Sequence, residues 1–390
     1  MAKVCYLLED LSSHGGIQRM QSTISNELCK KHEITIIETE KRHKSGLCYY
    51  LSPEIKIITI INHFSYVRRR IVHLISRFKT IHHKYFNRLL YKMLFSKSFV
   101  KEIVSTINKE KYDIVIAIAG RLTILLGKIS SDISSKTIAW ERNTYEDYFV
   151  GFYSKYCKLD RLFAKSLFNI DRCIVLTNDI KIKYEKHFGK TPQVIHNARS
   201  FNIDSKSKVS VPVFVACGRL APSKGFDLLI EAFKIFSEKN NEWKLTLVGD
   251  GKCRYELEEK IKNYSLCDRI KITGFTDNVE EYLINASVFL MPSKIEGFGN
   301  VIIEAFEVGL PIIAWDAPAM NELIEDRKDG ILVTPYNISL YADEMLKLAL
   351  NENERKRMSL NAIEKAKDFS IESIAAQWEK LFEEVSQHGA

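Results

Sequence analysis

Short apolar runs that alternate with helical segments are the feature that most constrains the fold of this 390-residue chain. Continuous apolar strands between helices indicate a parallel sheet that is covered by helices on both faces. The alternation occurs once before the polar stretch at residues 202–208 and again after it. The strands predicted in the first half are residues 4–8, 33–38, 55–61, 113–119, 137–140 and 173–177. Those predicted in the second half are residues 213–217, 244–248, 270–273, 287–291, 312–315 and 331–333.

This pattern predicts an α/β chain of two doubly wound domains in series, because 390 residues exceed one ordinary hydrophobic core. We assign residues 1–205 to an N-terminal domain and residues 206–369 to a C-terminal domain. The chain from about residue 339 onward is predicted to be helical with a break near residues 368–370. Its last helix, residues 370–390, is predicted to pack back on the N-terminal domain. Doubly wound sheets bind ligands at the carboxyl ends of their strands, so we expect a site in a cleft between the two domains.

The composition indicates a globular chain outside the membrane. Hydrophobic residues make up 46%, and no uncharged apolar run approaches the roughly 18 residues that span a bilayer. The first ten residues lack the cleavage site of a signal peptide, and the eight cysteines are scattered without a Cys-x-x-Cys pair. We therefore expect a cytoplasmic protein with free thiols, and neither a zinc site nor a disulfide framework.

The net charge of +8 conceals an asymmetry between the two halves. Residues 1–205 carry 34 Lys and Arg against 19 Asp and Glu, a net charge of +15, whereas residues 206–390 carry a net charge of −7. Within the basic half, residues 64–97 interleave basic side chains with aromatic and aliphatic ones. Such a mixture suits a helix on an anionic membrane surface. A solvated basic helix is the alternative, and nucleic acid is not expected as a partner because no nucleic-acid motif accompanies the patch.

A glycine-bearing loop late in the chain carries the most informative residues. Glu296 lies on the loop that enters a helix, and Glu304 lies about two turns inside that helix. Gly297 and Gly299 leave backbone N–H groups at the helix N-terminus free to face an anion. Glu304 stands among apolar neighbours, and a buried carboxylate needs donors such as ribose hydroxyls. An anion and polyhydroxylated groups bound together describe a sugar nucleotide.

Two further glycine-bearing loops follow predicted strands. The loop after residues 213–217 holds Arg219 and Lys224, two cations suited to phosphate oxygens, with solvated surface cations as the alternative. The loop after the first strand holds Gly15 and Gly16. These two glycines either let the backbone approach a ligand closely or form an ordinary tight turn.

The spacing of glycines and acids excludes several cofactor sites. No Walker loop is present, and the turn at residues 249–254 lacks the third glycine of a dinucleotide fingerprint. No Asp-x-Asp occurs, so the short acidic clamp that holds a metal on a sugar nucleotide is absent. We therefore expect no metal and no cofactor, with the diphosphate charge met by Arg219, Lys224 and helix N-termini.

Together these loops resemble the retaining glycosyltransferases of family 4, which have the GT-B fold of two Rossmann-like domains that face a central cleft. The resemblance covers nearly the whole chain and is densest from residue 213 to residue 333. The matching motifs are Gly218-Arg219-Leu220, Lys224-Gly225, Leu247-Val248-Gly249-Asp250-Gly251, Gly274-Phe275, Glu296-Gly297-Phe298-Gly299-Asn300 with Glu304, Gly309-Leu310-Pro311 and Asp329-Gly330.

The resemblance implies a role for each of these positions. Arg219 and Lys224 hold the donor diphosphate. Glu304 binds the ribose, and Glu296 faces the hydroxyls of the transferred sugar. Backbone contacts to the donor come from Gly15, Gly16, Gly297, Phe298, Gly299, Asn300 and Val301. The implied reaction retains the anomeric configuration and needs no covalent carboxylate nucleophile.

One position departs from the family pattern. Many relatives carry a histidine within a Glu-His-Asn run, whereas this chain has Glu141-Arg142-Asn143. An arginine donates hydrogen bonds to a sugar hydroxyl or a phosphate but is a poor acid or base at neutral pH. We therefore name Arg142 beside Glu296 as candidate catalytic residues. His196 is predicted to be a structural residue.

The resemblance implies transfer of a hexose or N-acetylhexosamine from a nucleotide-diphosphate sugar, with a UDP-sugar favoured. The basic N-terminal half suggests a lipid-linked oligosaccharide acceptor at the cytoplasmic face of the inner membrane, in the assembly of a surface polysaccharide such as lipopolysaccharide or capsule. Two alternatives stay open. One is a sugar-nucleotide epimerase of the same fold, and the other is a non-catalytic protein that binds a sugar nucleotide.

Overall fold

The computed structural model describes residues 1–13, 15–40, 47–62, 90–150, 159–200 and 203–387. Contacts divide the chain into two compact units. Unit 1 comprises Met1–Ala198 together with Ile371–Ala390, and unit 2 comprises Arg199–Ser370. Residues 64–89, which make up most of the predicted interfacial helix, lie outside the described residues, so that interpretation stays a prediction.

Unit 1 is built on a parallel sheet. Its described strands are β1 (Lys3–Leu8), β2 (Glu33–Glu38), β3 (Lys56–Thr59), β4 (Ile114–Ile118), β5 (Lys136–Trp140), β6 (Arg172–Val175) and β7 (Gln193–Val194). They are ordered β3-β2-β1-β4-β5-β6-β7, with Val4 of β1 opposite Ile34 of β2 and Ile114 of β4. All but β7 lie at predicted apolar runs, and β7 is too short to show a periodic pattern.

Helices connect the strands of unit 1. The described ones are α1 (Gly16–Leu28), α2 (Lys97–Glu110), α3 (Gly120–Ile129), α4 (Tyr145–Phe149), α5 (Asp160–Phe168) and α6 (Asn178–Phe188). The sequence predicts that residues 146–169 are helical throughout, but this is wrong at Val150: α4 ends at Phe149 and Val150 is extended (φ −96°, ψ 133°). The sequence Val150-Gly151 explains this end, because a β-branched residue followed by glycine disfavours a continuing helix.

Unit 2 repeats the architecture. Its strands are β8 (Val213–Cys217), β9 (Lys244–Val248), β10 (Ile270–Ile272), β11 (Val288–Met291), β12 (Ile312–Trp315) and β13 (Gly330–Val333). Its helices are α7 (Phe226–Ser237), α8 (Arg254–Asn263), α9 (Val279–Ile284), α10 (Asn300–Glu307), α11 (Pro318–Leu323), α12 (Ile338–Leu350) and α13 (Glu352–Ala366). The parallel sheet is ordered β10-β9-β8-β11-β12-β13, so the chain turns back between β8 and β11. The loops that follow these two strands therefore meet at the reversal point where such sheets bind ligands.

The last helix, α14 (Ile371–Gln387), belongs to unit 1 although it follows unit 2 in the chain. The predicted break before it is confirmed, because Lys367–Phe369 forms a single 3₁₀ turn and Ser370 leaves the helical conformation (ψ 148°). Trp378 of α14 packs edge-on against Trp140 with ring centroids 4.6 Å apart. A salt bridge joins Lys31 to Glu379 at 3.0 Å. The C-terminal helix therefore completes the core of unit 1.

Within the described part of the chain, no helix combines the length and apolar character needed to cross a bilayer. The cysteines in that part, Cys5, Cys29, Cys48, Cys173, Cys217, Cys253 and Cys267, are free thiols.

Asp329, in the turn before β13, is expected to make the stability of unit 2 depend on pH. Asp329 is 2% exposed, and its carboxylate accepts a hydrogen bond from the Glu325 N–H at 2.9 Å. Burial raises the pKa of Asp329 from 3.8 to about 6. The folded state therefore holds more protons than the unfolded state between these pKa values, and the free energy of unfolding falls as pH rises through that window.

Asp329→Asn keeps the hydrogen-bond acceptor and removes the buried charge. We expect it to raise the free energy of unfolding at neutral pH by roughly 1–3 kcal/mol, and to change it little near pH 4. Urea unfolding at the two pH values measures the difference. An equal gain in the free energy of unfolding at both pH values would contradict the raised pKa of Asp329.

Candidate functional site

Two loops of unit 2, residues 218–225 after β8 and residues 292–299 after β11, are joined by backbone contacts. The Lys294 N–H donates to the Ser223 carbonyl at 2.8 Å. Gly225 has a left-handed conformation (φ 67°), and a Cβ atom at this position would overlap the Pro292 carbonyl oxygen. The glycine therefore lets the first loop pack directly on the backbone of the second.

An ion pair also joins these loops. The Lys224 ammonium donates to Oε1 of Glu296, and the Ser293 hydroxyl donates to the same oxygen at 3.2 Å. Both charged side chains are partly buried, with 24% of Lys224 and 13% of Glu296 exposed. The other carboxylate oxygen of Glu296 has no hydrogen-bond partner among the described residues. The structure thus brings together two residues that the sequence places in separate motifs, and leaves one Glu296 oxygen available to a ligand.

Glu304 lies on α10, the helix that follows the loop of Glu296 in the sequence. The residue is buried, with 4% of its surface exposed. Burial, followed by the negative charge of Glu304, raises the pKa of the Cys217 thiol at the end of β8. Glu304 therefore lies close to the carboxyl end of β8, at the reversal point of the sheet.

The N-terminus of α10 lacks a capping side chain. Gly299 precedes the helix in a left-handed conformation (φ 90°) and no side chain caps the first turn. Phe298 is buried, and its ring centroid lies 6.2 Å from that of Phe369, so its side chain packs inside unit 2. Asn300 and Val301 are half-buried at the first turn. Uncapped N–H groups at this end attract anions.

Arg219 is exposed on the first loop and contacts no described residue through a hydrogen bond or ion pair. The backbone around it is held by the turn after β9. The Leu220 N–H donates to the Asp250 carbonyl at 2.9 Å, and a Cβ atom on Gly249 or Gly251 would overlap the backbone of the first loop. The glycines of this turn therefore serve packing, which agrees with its interpretation as a turn.

Gly225→Ala is expected to cost unit 2 about 3 kcal/mol or more of unfolding free energy, because backbone strain adds to the overlap with Pro292. Gly189→Ala is the matched control. It has a similar φ of 66°, but its nearest contact would be 3.6 Å away, on the Phe168 ring. Strain alone should cost about 1–2 kcal/mol there. Denaturant unfolding measures the loss of unfolding free energy in both variants. Equal losses would show that the overlap with Pro292 adds nothing to the backbone strain.

In unit 1, the loop between β1 and α1 is held by Asp10, a buried carboxylate. Asp10 accepts hydrogen bonds from the backbone and hydroxyl of Ser12, at 2.8 and 2.5 Å, and from the Ser13 hydroxyl. Gly15 is extended (φ −176°), a conformation that any residue adopts. A Cβ there would meet only the flexible end of Gln18, at 2.8 Å. Neither strain nor packing against a rigid neighbour requires a glycine at this position.

Arg142 lies beside this loop. Its side chain is buried, stacks on the Trp140 ring at 3.7 Å and donates from Nη1 to the Ile17 carbonyl at 3.3 Å. Its Nε and Nη2 atoms have no hydrogen-bond partner among the described residues. Burial lowers the pKa of Arg142 to about 9. The structure therefore brings Arg142 to the first turn of α1, directly after Gly15 and Gly16.

Glu141 is a residue of this region whose role was not predicted from sequence. It is fully buried and accepts hydrogen bonds from the Gly120 N–H at 3.1 Å, the Tyr148 hydroxyl at 2.8 Å and the Thr123 hydroxyl. Burial raises the pKa of Glu141. It holds the turn at Ala119, a non-glycine residue with φ 65°. In the sequence, only the position of Glu141 next to Arg142 indicated that it belongs to this region.

Two other polar features of unit 1 serve its structure. His196 contacts the Leu176 carbonyl through Nδ1 at 2.8 Å, as its structural interpretation requires. Arg121 is buried between Glu9 at 3.2 Å and Glu40, an arrangement with no local sequence pattern. Within the described residues, no group of three or more His, Cys, Asp or Glu side chains is placed to hold a metal ion.

The architecture defines the class of protein. The structure of HepE from Anabaena, solved in complex with UDP and glucose, matches with a TM-score of 0.77 and 18% identity over 98% of this chain and 100% of that chain. At this identity the likeness establishes the fold, which is the GT-B fold of glycosyltransferases predicted from the sequence.

Sequence comparison establishes the family. Residues 199–365 match the family model described as glycosyl transferases group 1. An uncharacterised glycosyltransferase of Methanocaldococcus jannaschii is 32% identical in an alignment of 313 positions that covers 67% of this chain and 75% of the relative. An N-acetyl-D-galactosaminyltransferase of Campylobacter jejuni is 29% identical over 99% of both chains. The chain belongs to the group 1 glycosyl transferases, and its resemblance to glycosyltransferases is confirmed.

Proposed function

We propose that this glycosyltransferase is a retaining, metal-independent enzyme of family 4. It moves a hexose or N-acetylhexosamine from a UDP-sugar to a lipid-linked saccharide in the assembly of a surface polysaccharide. The observation that carries the proposal is the Lys224–Glu296 ion pair at the uncapped N-terminus of α10, with Glu304 buried on the same helix. Cations, backbone N–H groups that no side chain caps, and carboxylates at one reversal point match the diphosphate and hydroxyls of a sugar nucleotide.

The candidate site residues of unit 2 have distinct roles in this proposal. Arg219 and Lys224 neutralise the donor diphosphate together with the N-terminus of α10, and Glu304 accepts the ribose hydroxyls. The free oxygen of Glu296 accepts a hydroxyl of the transferred sugar. The backbone of residues 297–301 and of Gly15 and Gly16 completes the donor site.

The same groups serve the chemistry of sugar transfer. When the bond between the sugar and the diphosphate breaks, negative charge develops on the leaving phosphate and positive charge on the sugar. Lys224 and the N-terminus of α10 stabilise the first charge, and Glu296 stabilises the second. The acceptor hydroxyl attacks from the face that the diphosphate leaves and gives its proton to a phosphate oxygen, which retains the configuration. Because Arg142 is a poor base, it stabilises charge in this scheme and does not carry the proton.

The nature of the substrates is inferred from relatives. HepE was solved with UDP and glucose, which supports a UDP-sugar donor. The Campylobacter jejuni relative is named as acting on GalNAc-alpha-(1->4)-GalNAc-alpha-(1->3)-diNAcBac-PP-undecaprenol, which supports a lipid-linked acceptor. In the proposal, unit 1 binds that acceptor, and the basic stretch 64–97 holds the protein on the cytoplasmic face of the inner membrane.

The decisive experiment is a thermal-shift screen across UDP-, GDP- and ADP-sugars in EDTA, followed by a transfer assay with the hit. We expect stabilisation by a UDP-sugar and an α-linked product from an α-linked donor, read by NMR. No shift with any nucleotide, or an inverted product, would overturn the proposal. An epimerised sugar after incubation with the donor alone would establish the epimerase alternative.

A further inference from the structure

We propose that Tyr336 and Asp316 form a saccharide subsite at the carboxyl edge of the unit 2 sheet. The subsite stacks a pyranose ring of the acceptor on the exposed ring of Tyr336, beside the loop of residues 292–299. The choice of the acceptor as the source of this sugar rests on the proposed function. The subsite itself rests on contacts within unit 2 alone.

The first observation is the turn that joins β13 to α12. The Asn337 N–H donates to the Thr334 carbonyl at 3.1 Å, so Pro335 and the residue after it are the central pair of this turn. Proline at the first central position is typical of a type II turn, in which the second position needs a positive φ and favours glycine. Tyr336 occupies that second position with φ 64°. A bulky residue in this conformation is strained, and such strain is found mainly at functional sites.

The second observation is that burial does not account for this tyrosine. Tyr336 is 56% exposed. Its ring centroid lies 6.1 Å from that of Trp315, which is buried and also packs on Tyr341 at 4.6 Å. The Tyr336 ring therefore rests on the core on one side and stays open to solvent over most of its surface. An open aromatic face suits the apolar C–H face of a pyranose ring.

Trp315 also places this ring close to the donor site. Its Nε1 donates to the Pro292 carbonyl at 2.9 Å, so a single buried side chain links Tyr336 to the loop of Glu296. β13 lies two strands from β11 in the sheet, a separation of roughly 10 Å. That separation exceeds the width of one pyranose ring. A sugar on Tyr336 is therefore a different sugar from the one that faces Glu296, which favours a sugar of the acceptor.

Asp316 supplies a hydrogen-bond acceptor at the same edge of the sheet. It follows the last residue of β12, and its N–H donates to the Val333 carbonyl at the end of β13, at 2.7 Å. Asp316 is exposed, and its side chain forms no hydrogen bond or ion pair with a described residue. An aromatic ring for the apolar face of a sugar and a carboxylate for its hydroxyls together suit a neutral saccharide. The negative charge of Asp316 disfavours a phosphate here.

The Tyr336 ring provides a local probe of this subsite. We would label the full chain with fluorotyrosine and assign the ¹⁹F signal of Tyr336 by the substitution Tyr336→Phe. The methyl α-glycosides of glucose, galactose, N-acetylglucosamine and N-acetylgalactosamine are then titrated. We expect at least one of them to shift this signal with half-saturation at about 1–30 mM. Sorbitol, which has hydroxyls but no ring, should give no saturable shift. A signal that no glycoside moves, or that sorbitol moves equally, would overturn the subsite.

Tyr336→Gly separates a binding role from a structural one. Glycine relieves the strain of a positive φ and removes the ring, so the Tm should stay within about 2 °C of the parent value or rise. Binding of the glycoside, measured by saturation-transfer NMR, should weaken about tenfold. Tyr336→Phe keeps the ring and should bind within about twofold of the parent protein. A lower Tm with unchanged glycoside binding in Tyr336→Gly would show that the tyrosine serves only the structure.

Ser265→Gly is the matched control for the relief of strain. Ser265 has φ 55° in the turn between α8 and β10, at the opposite edge of the same sheet. The substitution should leave the Tm unchanged or raise it, and glycoside binding should not change. Weaker glycoside binding in this variant would show that the loss in Tyr336→Gly does not report on the ring.

Donor titrations identify the source of the sugar. UDP, UDP-glucose and UDP-N-acetylglucosamine should leave the Tyr336 signal in place, and the glycoside should still bind in their presence. If a UDP-sugar moves the signal and displaces the glycoside, whereas UDP does neither, Tyr336 stacks on the transferred sugar and the assignment to the acceptor is wrong. A protein that binds glycosides at Tyr336 but is stabilised by no nucleotide sugar would overturn the proposed function and leave the subsite intact.

Discussion

Glu296→Gln is expected to lower kcat by about 10²–10³-fold while changing the donor KM by less than about fivefold. The substitution keeps the size of the side chain and its hydrogen bond from Ser293, but it removes the charge that faces Lys224. That charge matters most in the transition state, when the sugar carries positive charge. The effect should therefore appear in kcat and less in ground-state binding. Steady-state kinetics with the donor found in the thermal-shift screen measure it.

The structure offers a matched control next to this site. Lys294 of the second loop forms an ion pair with Asp227, in the first turn of α7, at 3.1 Å, and both side chains are more exposed than those of Lys224 and Glu296. Asp227→Asn removes that pair without touching the proposed donor site, and should leave kcat within about twofold, as expected of a surface ion pair. If the two variants lose activity equally, Glu296 acts only by joining the loops, and its proposed contact with the sugar is wrong.

Glu304→Ala is expected to abolish the stabilisation of the protein by its donor. A ligand at about 100 times its Kd adds about 2.7 kcal/mol to the free energy of unfolding. That corresponds to a Tm rise of roughly 5–10 °C for a unit the size of unit 2. The rise should vanish in the variant because the ribose hydroxyls lose their buried acceptor. Differential scanning fluorimetry with and without the donor measures it.

Glu307→Gln is the matched control on the same helix. Glu307 is as buried as Glu304, but it pairs with Arg199 at 2.5 Å and Lys206 at 2.8 Å. Weakening this buried pair should lower the Tm of the free protein, since a buried charge depends on its partners. The donor should still raise that lower Tm by the same amount. A donor-induced rise that survives in Glu304→Ala, or that vanishes in Glu307→Gln, would show that Glu304 is not the ribose ligand.

The strands and the ends of α10 followed from local patterns. Buried parallel strands are apolar throughout, so the runs that became β1, β4, β8 and β11 could be recognised without any partner. Glycine marked both ends of α10, where Gly299 and Gly309 have positive φ angles of 90° and 79°. Features without such a pattern were not predicted. The two residues of β7 are too few to show a period, and the end of α4 at Phe149 depends on a weak signal in Val150 and Gly151.

The sequence by itself determined the fold class, the family and the positions of the glycine-bearing loops, because each depends on residues adjacent in the chain. Only the tertiary structure decided what these residues contact. Lys224 meets Glu296 across 72 residues. Arg142 stacks on Trp140 beside the first turn of α1, and α14 returns from the end of the chain to place Trp378 against Trp140. Contacts between residues so far apart leave no periodic signal, because parallel sheet order and helix packing bring them together.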